Sequence, residues 1–274
     1  MNLFETLILG VVQGLTEFLP VSSSAHLVIT ENILKIKSES ISFEVFLHFG
    51  TFMAVVIIYR KEIWGMIKSL RYILVRKDNS VSSEGSTVGG KEYLRLLGLI
   101  IIGSIPAGVL GLLFKDTIEK SFSSISFVSA MLILTGIFLW LTRLSKVTEQ
   151  KMTFADSIII GLAQAFALLP GISRSGFTIG TGLFRRIDKT KAADFSFLLS
   201  LPAIFGATLL KLSDCLIEKP SSQLLILYLL GSVVAFAFGY LAIKFLLSVL
   251  RSGKFEYFGY YCVLAGILSL IFLG

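Results

Sequence analysis

Long apolar segments recur along the whole 274-residue chain, and they constrain its fold more than any other feature. Each is close to or above the length that a helix needs to cross the hydrocarbon core of a bilayer. The six segments are residues 43–59, 96–114, 127–142, 195–210, 223–250 and 256–273. Only 16% of the residues are charged, against about a quarter in soluble domains. The sequence therefore predicts an all-α, polytopic integral membrane protein.

Two further apolar regions, 3–34 and 155–184, are interrupted near their middle. The first contains GLTEFLPVSSSAHLVI, which starts at Gly14 and holds a proline and three consecutive serines. Proline ends one helix and serine starts the next. Broken backbone at membrane depth is tolerated only where protein or a cavity surrounds it. The pattern predicts a re-entrant helical hairpin in each region.

The two interrupted regions also resemble each other. GVVQGLTEFLPVSSSA starts at Gly10 and GLAQAFALLPGISRSG starts at Gly161. At this constant offset the matching pairs are Gly10 with Gly161, Gln13 with Gln164, Ser22 with Ser173 and Ser24 with Ser175. Several matches at one offset indicate an internal repeat.

The repeat predicts an architecture for the single membrane domain, residues 1–274. Repeat 1 covers about 1–145 and repeat 2 about 152–274, and each holds one hairpin and three transmembrane helices. Because three crossings are an odd number, the second repeat must lie upside down relative to the first. This is an inverted-topology fold, in which broken helices meet near the bilayer midplane.

The distribution of Lys and Arg predicts the orientation in the membrane. The loops assigned to one side are 60–95, 143–151, 185–191 and 251–254, and they hold 17 of the 25 Lys and Arg residues. Positively charged loops stay cytoplasmic, so both termini are expected on the outer face. This pattern accounts for the net charge of +7 without a nucleic-acid partner.

Residues 60–95 contain two distinct stretches on the predicted cytoplasmic side. The segment 61–77 places Trp64, Ile67 and Leu70 on one helical face and charged residues on the other, which is typical of an interfacial helix. The segment 78–90, DNSVSSEGSTVGG, is small and polar and is expected to be a flexible connector.

The serines of the first hairpin indicate an anion site. A helix that starts at Ser22, Ser23 and Ser24 presents free backbone N–H groups and the positive end of its dipole. His26 follows Ser22 by four residues, so both lie on one helical face. The alternative for any one of these serines is ordinary N-capping.

Glu17 is a carboxylate inside a membrane segment, which is costly and indicates a functional site. Gln13 lies four residues earlier on the same helical face. A diphosphate would favour a divalent metal, and Glu17 can help to hold it.

The second hairpin contains PGISRSGFTIGTG, with Arg174 at its centre. Arginine forms paired, charge-assisted hydrogen bonds with phosphate. Ser173 and Ser175 on either side suit an anion as well, so a phosphate ligand is favoured over a merely structural arginine. Two polar residues lie in the 43–59 segment, which follows the first hairpin. For His48 a helix-packing place is favoured over the alternative of a catalytic role, and Glu44 is expected in a supporting or interfacial place.

These motifs resemble those of a known family. VVQGLTEFLPVSSSAHL and PGISRSGFTIGTGLF look like the two signatures of the bacterial undecaprenyl-pyrophosphate phosphatases, the bacitracin-resistance family. FEVFLHFGT, IPAGVLGLLF and ADFSFLLSLPA follow in family order, so the resemblance covers nearly the whole chain.

The resemblance implies an enzyme that converts undecaprenyl pyrophosphate into undecaprenyl phosphate and inorganic phosphate, which recycles the carrier lipid for cell-wall synthesis. It implies a divalent metal, Mg²⁺ or Ca²⁺, inverted repeats, and an active site in the bacterial plasma membrane that opens towards the outer face. Membrane lipids are expected neighbours. A homodimer is compatible with the sequence, which does not determine the oligomeric state.

The family motifs fall on defined positions of this sequence. The acid motif falls on Gln13 and Glu17, where some members have a second glutamate in place of Gln13. A neutral amide cannot act as a base or neutralise the charge of a metal, so Glu17 alone must do so. Gln164, the repeat mate of Gln13, is expected in a supporting place. The serine–histidine motif falls on Ser22, Ser23 and His26, and the arginine motif on Ser173, Arg174, Ser175 and Thr178.

Two questions stay open at the level of sequence. The first is the nucleophile: Ser23 attacks phosphorus with His26 or Glu17 as base, His26 attacks directly, or a metal-bound water attacks. In the second, inverted repeats with broken helices also occur in transporters and lipid flippases, so transport is the alternative function.

Overall fold

Helices form almost all of the described chain. The structure, a computed structural model, describes residues 1–36, 41–75, 87–146, 148, 150–218 and 221–274. The helices are α1 Leu3–Phe18, α2 Ser23–Leu34, α3 Ile41–Ile58, α4 Arg60–Val75, α5 Thr87–Leu113, α6 Lys115–Ser121, α7 Ile125–Leu141, α8 Phe154–Phe166, α9 Arg174–Phe184, α10 Lys189–Glu218, α11 Ser222–Arg251 and α12 Tyr257–Leu273. No strand occurs within these ranges, which confirms the all-α class.

Each of the six predicted spans coincides with a helix. Within the described residues, four segments are long and apolar enough to cross a membrane: Gly89–Leu113, Ile125–Leu144, Lys189–Leu209 and Ser222–Arg251. A fifth crossing is formed if α3 and α4, which meet at a bend of 77°, are taken as one span. Helix α12 is apolar but only 17 residues long. The chain is thus a multi-pass membrane protein.

The two interrupted regions fold as pairs of short helices. The first pair is α1 and α2, with 16 and 12 residues, and the second is α8 and α9, with 13 and 11 residues. At about 1.5 Å per residue, none of the four reaches across a hydrocarbon core of about 30 Å. These lengths suit re-entrant hairpins, whose position in a bilayer stays a prediction.

Capping boxes open the first helix of both hairpins. Asn2 accepts a hydrogen bond from the Glu5 backbone N–H, and the Glu5 carboxylate accepts one from the Asn2 N–H. Thr153 and Asp156 make the same pair of bonds at the start of α8. The two boxes are separated by the same offset as Gly10 and Gly161, so the sequence repeat extends to the first turn of each hairpin.

Close helix crossings follow the same correspondence. Helix α1 packs on α11, and α8 packs on α5. A Cβ added at Gly10 would lie 3.0 Å from the Gly231 carbonyl oxygen, and one at Gly161 would overlap the Gly103 backbone. Small residues let membrane helices approach this closely. If α1 corresponds to α8 and α5 to α11, the α1–α11 and α8–α5 contacts are equivalent, as two repeats require. The inversion and the repeat boundaries stay predictions.

The predicted interfacial helix is α4. Its apolar face is turned away from the protein, because Trp64, Ile67 and Leu70 are exposed while Met66 and Ser69 on the opposite face are buried. Of the polar connector predicted at 78–90, residues 87–90 belong to the first turn of α5, which begins at Thr87. Residues 78–86 of that connector lie outside the described residues.

Candidate active site

Glu17 connects the two hairpins where their helices break. It is 8% exposed, at the end of α1. Its Oε2 accepts a hydrogen bond from Ser23 Oγ at 2.7 Å and another from Gln13 Nε2 at 3.1 Å. Its Oε1 is paired with the Arg174 guanidinium. One carboxylate therefore holds a hydroxyl from hairpin 1 and a cation from hairpin 2.

Local sequence places Ser23 and Arg174 at the first position of their helices. Pro20 stops α1, and α2 starts after Ser22, whose φ of 67° is in the left-handed region. Ser22 Oγ accepts from the Ala25 N–H at 3.3 Å, so it is the N-cap of α2. Ser173 caps α9 in the same way. The starts of α2 and α9, which carry the positive ends of the helix dipoles, thus both lie at Glu17.

Ser24 and Ser175 link the two hairpins through hydrogen bonds. Ser24 Oγ accepts from the Gly171 N–H at 3.2 Å. Reciprocally, Ser175 Oγ donates to the Leu19 carbonyl oxygen at 3.1 Å. Each serine thus binds the break of the opposite hairpin. Direct contact of either hydroxyl with phosphate stays a prediction.

Gly171 is required at the second break, where φ is +97°. A Cβ at this position would overlap the Val128 carbonyl oxygen and lie 2.6 Å from Met131 Cβ. We expect Gly171→Ala to lower stability by at least the roughly 1–3 kcal/mol of a strained backbone, and to reduce activity by displacing Ser173 and Arg174. Thermal unfolding in detergent measures the effect. Gly108→Ala is the matched control because no atom lies within 4 Å of its added Cβ, and equal unfolding temperatures would contradict the prediction.

Thr178 and Gln164, which the sequence predicts as site residues, make no described hydrogen bond to Glu17. Thr178 Oγ1 donates to the Arg174 carbonyl oxygen at 2.7 Å and lies 2.5 Å from Ser196 Oγ of α10. It therefore supports the first turn of α9. Gln164 is 1% exposed, and neither of its side-chain polar atoms has a partner among the described residues. No described hydrogen bond joins Gln164 to the site.

His48 belongs to the site, contrary to the packing role expected from sequence. Its Nδ1 lies 3.1 Å from Gln13 Nε2 and 3.9 Å from Glu17 Oε2. The His48 side chain is 38% exposed, whereas that of Glu17 is only 6% exposed, so His48 lies between the buried carboxylate and the protein surface. A histidine on the largely apolar helix α3 was the available signal, but the sequence does not show which residues contact it.

His26 is held by two partners other than Ser23. Its Nδ1 lies 2.8 Å from the Ser22 carbonyl oxygen, and its Nε2 lies 2.6 Å from Tyr261 Oη of α12. Tyr261 was not expected from sequence, where it is one aromatic residue in an apolar span. Ser23 thus has Glu17, and not His26, as its described hydrogen-bond acceptor.

The donor set fits a divalent metal shared with a substrate. Among the described residues, no group of three or more His, Cys, Asp and Glu could hold an ion. Gln13 Oε1, however, is buried without a partner there, beside the Glu17 carboxylate. Hard cations such as Mg²⁺ prefer oxygen ligands and often use one or two carboxylates together with substrate phosphates. A resident, all-protein metal cage does not fit these residues.

Comparison with known proteins assigns this broken-helix membrane fold to a family. The family model described as "Bacitracin resistance protein BacA" matches residues 6–268. The chain belongs to this family, as its motifs predicted.

Three full-length relatives are named for the same activity. An undecaprenyl-diphosphatase of Desulforapulum autotrophicum is 42% identical over 99% of this chain and 98% of its own length. One from Halothermothrix orenii is 40% identical over 100% of this chain and 99% of its own. A third, from Carboxydothermus hydrogenoformans, is 41% identical over 99% and 97%.

Proposed function

We propose that this chain is an undecaprenyl-diphosphatase, which hydrolyses undecaprenyl pyrophosphate to undecaprenyl phosphate and inorganic phosphate. The full-length relatives bear that name, and the recycled product is the lipid carrier for cell-wall precursors. The observation that carries the proposal is the position of Glu17, which binds Ser23 and Arg174 where two helix starts converge.

Arg174 and the two helix starts bind the diphosphate. Its guanidinium has five N–H donors, and its one hydrogen bond to a described residue is to Glu17. Phosphate oxygens take up the remaining donors, while the N–H groups at the starts of α2 and α9 add positive potential. Phosphoryl transfer depends mainly on such positioning and electrostatic stabilisation.

Ser23 attacks the terminal phosphorus. Its Oγ–H already donates to Glu17 Oε2, so the carboxylate takes the proton as the Oγ–P bond forms and the P–O bond of the anhydride breaks. Undecaprenyl phosphate leaves with the bonding electrons. The leaving phosphate takes the proton from Glu17. Water then hydrolyses the phosphoserine: Glu17 accepts a proton from water as the new O–P bond forms, and Ser23 Oγ leaves phosphorus and takes that proton back, which releases inorganic phosphate.

The site also suits a divalent metal, Mg²⁺ or Ca²⁺, that would be shared with the diphosphate. Glu17 and the Gln13 amide oxygen are the protein groups that would hold it. When bound, it supplies neutralisation of phosphate charge and polarisation of a phosphoryl oxygen. Because Gln13 is neutral, Glu17 is the single anionic ligand from this part of the site.

The enzyme works in the bacterial plasma membrane with the site open to the outer face and both termini outside. The clustering of Lys and Arg in four loops supports this orientation. Exposed apolar side chains such as Leu113 and Phe272 support direct contact with membrane lipids. A homodimer stays a prediction.

Phosphate release from purified protein in detergent tests the function. We expect inorganic phosphate from undecaprenyl pyrophosphate, with release lost in EDTA and restored by Mg²⁺ or Ca²⁺, and with Glu17→Gln inactive. Detergent micelles have no compartments, so a protein that only transports or flips lipid would release no phosphate. Release that is unchanged by EDTA would exclude the metal while leaving the phosphatase assignment intact.

A further inference from the structure

The contact between His26 and Tyr261 joins the first hairpin to the last helix. Tyr261 Oη lies 2.6 Å from His26 Nε2. The two rings are also stacked, with centroids 5.6 Å apart and planes 11° from parallel. One side chain therefore determines both the direction of a ring nitrogen and the plane of the ring.

The other nitrogen of His26 defines the tautomer. The Ser22 carbonyl oxygen can only accept a hydrogen bond, so Nδ1, 2.8 Å away, carries a proton. In the neutral ring, Nε2 then has the lone pair and accepts from the Tyr261 hydroxyl. Such a partner on one nitrogen sets what the other can do.

Helix α12 is well placed to hold this tyrosine in position. The next residue, Cys262, is fully buried, and its Sγ lies 3.5 Å from the Pro20 carbonyl oxygen at the break of hairpin 1. Gly259 packs against α7, where an added Cβ would meet the Gly136 carbonyl oxygen at 2.6 Å. The first turns of α12 are thus fixed on both sides, whereas Tyr261 itself is 47% exposed.

We infer that Tyr261 is a positioning residue for His26. This inference rests on the proposed phosphatase function. The hydroxyl and the nearly parallel ring of Tyr261 fix the direction and the plane of the imidazole, so that its Nδ1–H stays on the carbonyl oxygen of Ser22, the residue before Ser23. Glu17 accepts the hydrogen bond of Ser23, so the part of His26 is to hold the N-cap backbone beside Ser23. Tyr261 acts through His26 and not on phosphorus.

Removing only the hydroxyl tests this role. We expect Tyr261→Phe to lower kcat about tenfold, because a misdirected group loses rate without loss of the fold. The limb of the pH profile of kcat that follows protonation of His26 should also shift, because the lost hydroxyl bonded Nε2 of the neutral ring. Tyr260→Phe is the matched control. It removes a hydroxyl from the adjacent residue, whose partner is Trp140 Nε1 at 3.1 Å, and should leave both kcat and the pH profile unchanged. Unchanged kcat in Tyr261→Phe would overturn the inference.

A double-mutant cycle separates positioning from simple packing. In a His26→Ala background, Tyr261→Phe should cause no further loss, since it has no ring left to orient. An equal loss in both backgrounds would show that Tyr261 acts independently of His26 and would overturn the inference.

Nitrogen NMR gives a readout that does not require activity. The chain has two histidines, so a His48→Asn variant leaves His26 as the one labelled imidazole. We expect the Nδ1–H tautomer in the parent and an Nε2 signal in Tyr261→Phe that moves towards that of an unbonded lone pair. If the unsubstituted protein releases no phosphate but this shift occurs, the proposed function fails and the contact between Tyr261 and His26 stands. An unchanged Nε2 signal would refute the contact itself.

Discussion

Ser23→Ala is expected to reduce phosphate release by on the order of 10⁴-fold or more, close to the full catalytic effect. The substitution removes the attacking oxygen and the proton that Glu17 accepts, while Ser22 and Ser24 keep the cap and the link between the hairpins. Single-turnover phosphate release from purified protein measures the loss. Ser123→Ala is the matched control, because that exposed serine bonds only the Lys120 carbonyl oxygen among the described residues.

The acid stability of a trapped phosphoenzyme identifies the nucleophile. Quenched turnover with labelled diphosphate should yield an acid-stable phosphoserine that is absent in Ser23→Ala. His26→Ala should be less damaging, by about 10²-fold, since Glu17 and not His26 accepts the Ser23 proton. An acid-labile species that survives in Ser23→Ala and disappears in His26→Ala would assign attack to histidine. Equal abolition with no covalent species would instead favour attack by water.

Arg174→Lys is expected to lower kcat about 10²–10³-fold although the charge is kept. An ammonium group cannot donate the paired, planar hydrogen bonds that phosphate accepts from a guanidinium. Lysine should also hold Glu17 less firmly, since an ammonium group lacks the planar geometry that suits a carboxylate. This contact matters because the Arg174–Glu17 pair is mostly buried, with 17% and 6% of the side chains exposed. Initial rates and a thermal unfolding curve on the same preparation distinguish lost chemistry from lost folding.

The same substitution at Arg185 is the control for Arg174. Arg185 lies at the other end of α9, where its Nε donates to Asp156 Oδ1 at 2.7 Å and its side chain is 46% exposed. Arg185→Lys should change the rate less than about twofold, since exposed ion pairs contribute little. Turnover by Arg174→Lys that matches Arg185→Lys would show that paired donation to phosphate is unimportant here.

Local chemistry made the spans and the helix breaks predictable. Apolar runs of membrane length give helices wherever they occur, and Pro20 with its following serines ends one helix and starts another. The places of His48 and Tyr261 were not predictable in this way. Their partners Gln13 and His26 lie 35 and 235 residues away in sequence, and only tertiary packing brings such residues together.

The serines show a second limit of sequence reasoning. Ser22, Ser23 and Ser24 are chemically identical, yet one caps a helix, one donates to Glu17 and one binds the opposite hairpin. Rotation of about 100° per residue separates these tasks. The sequence predicted an anion-binding segment, but the separate roles of its three serines depend on where the neighbouring helices lie.

The Glu17–Arg174 pair spans 157 residues of chain, with consequences for biosynthesis. Ribosomes deliver the N-terminal half first, so hairpin 1 reaches the membrane before residue 174 has been translated. A charged carboxylate without a cation beside it is costly in apolar surroundings, even with the hydrogen bonds that Ser23 and Gln13 supply. The nascent hairpin must therefore keep this acid hydrated or protonated until the second hairpin inserts. Maturation of the catalytic centre is thus a late event in membrane insertion, and a ribosome stalled before that codon carries a polypeptide with an incomplete centre.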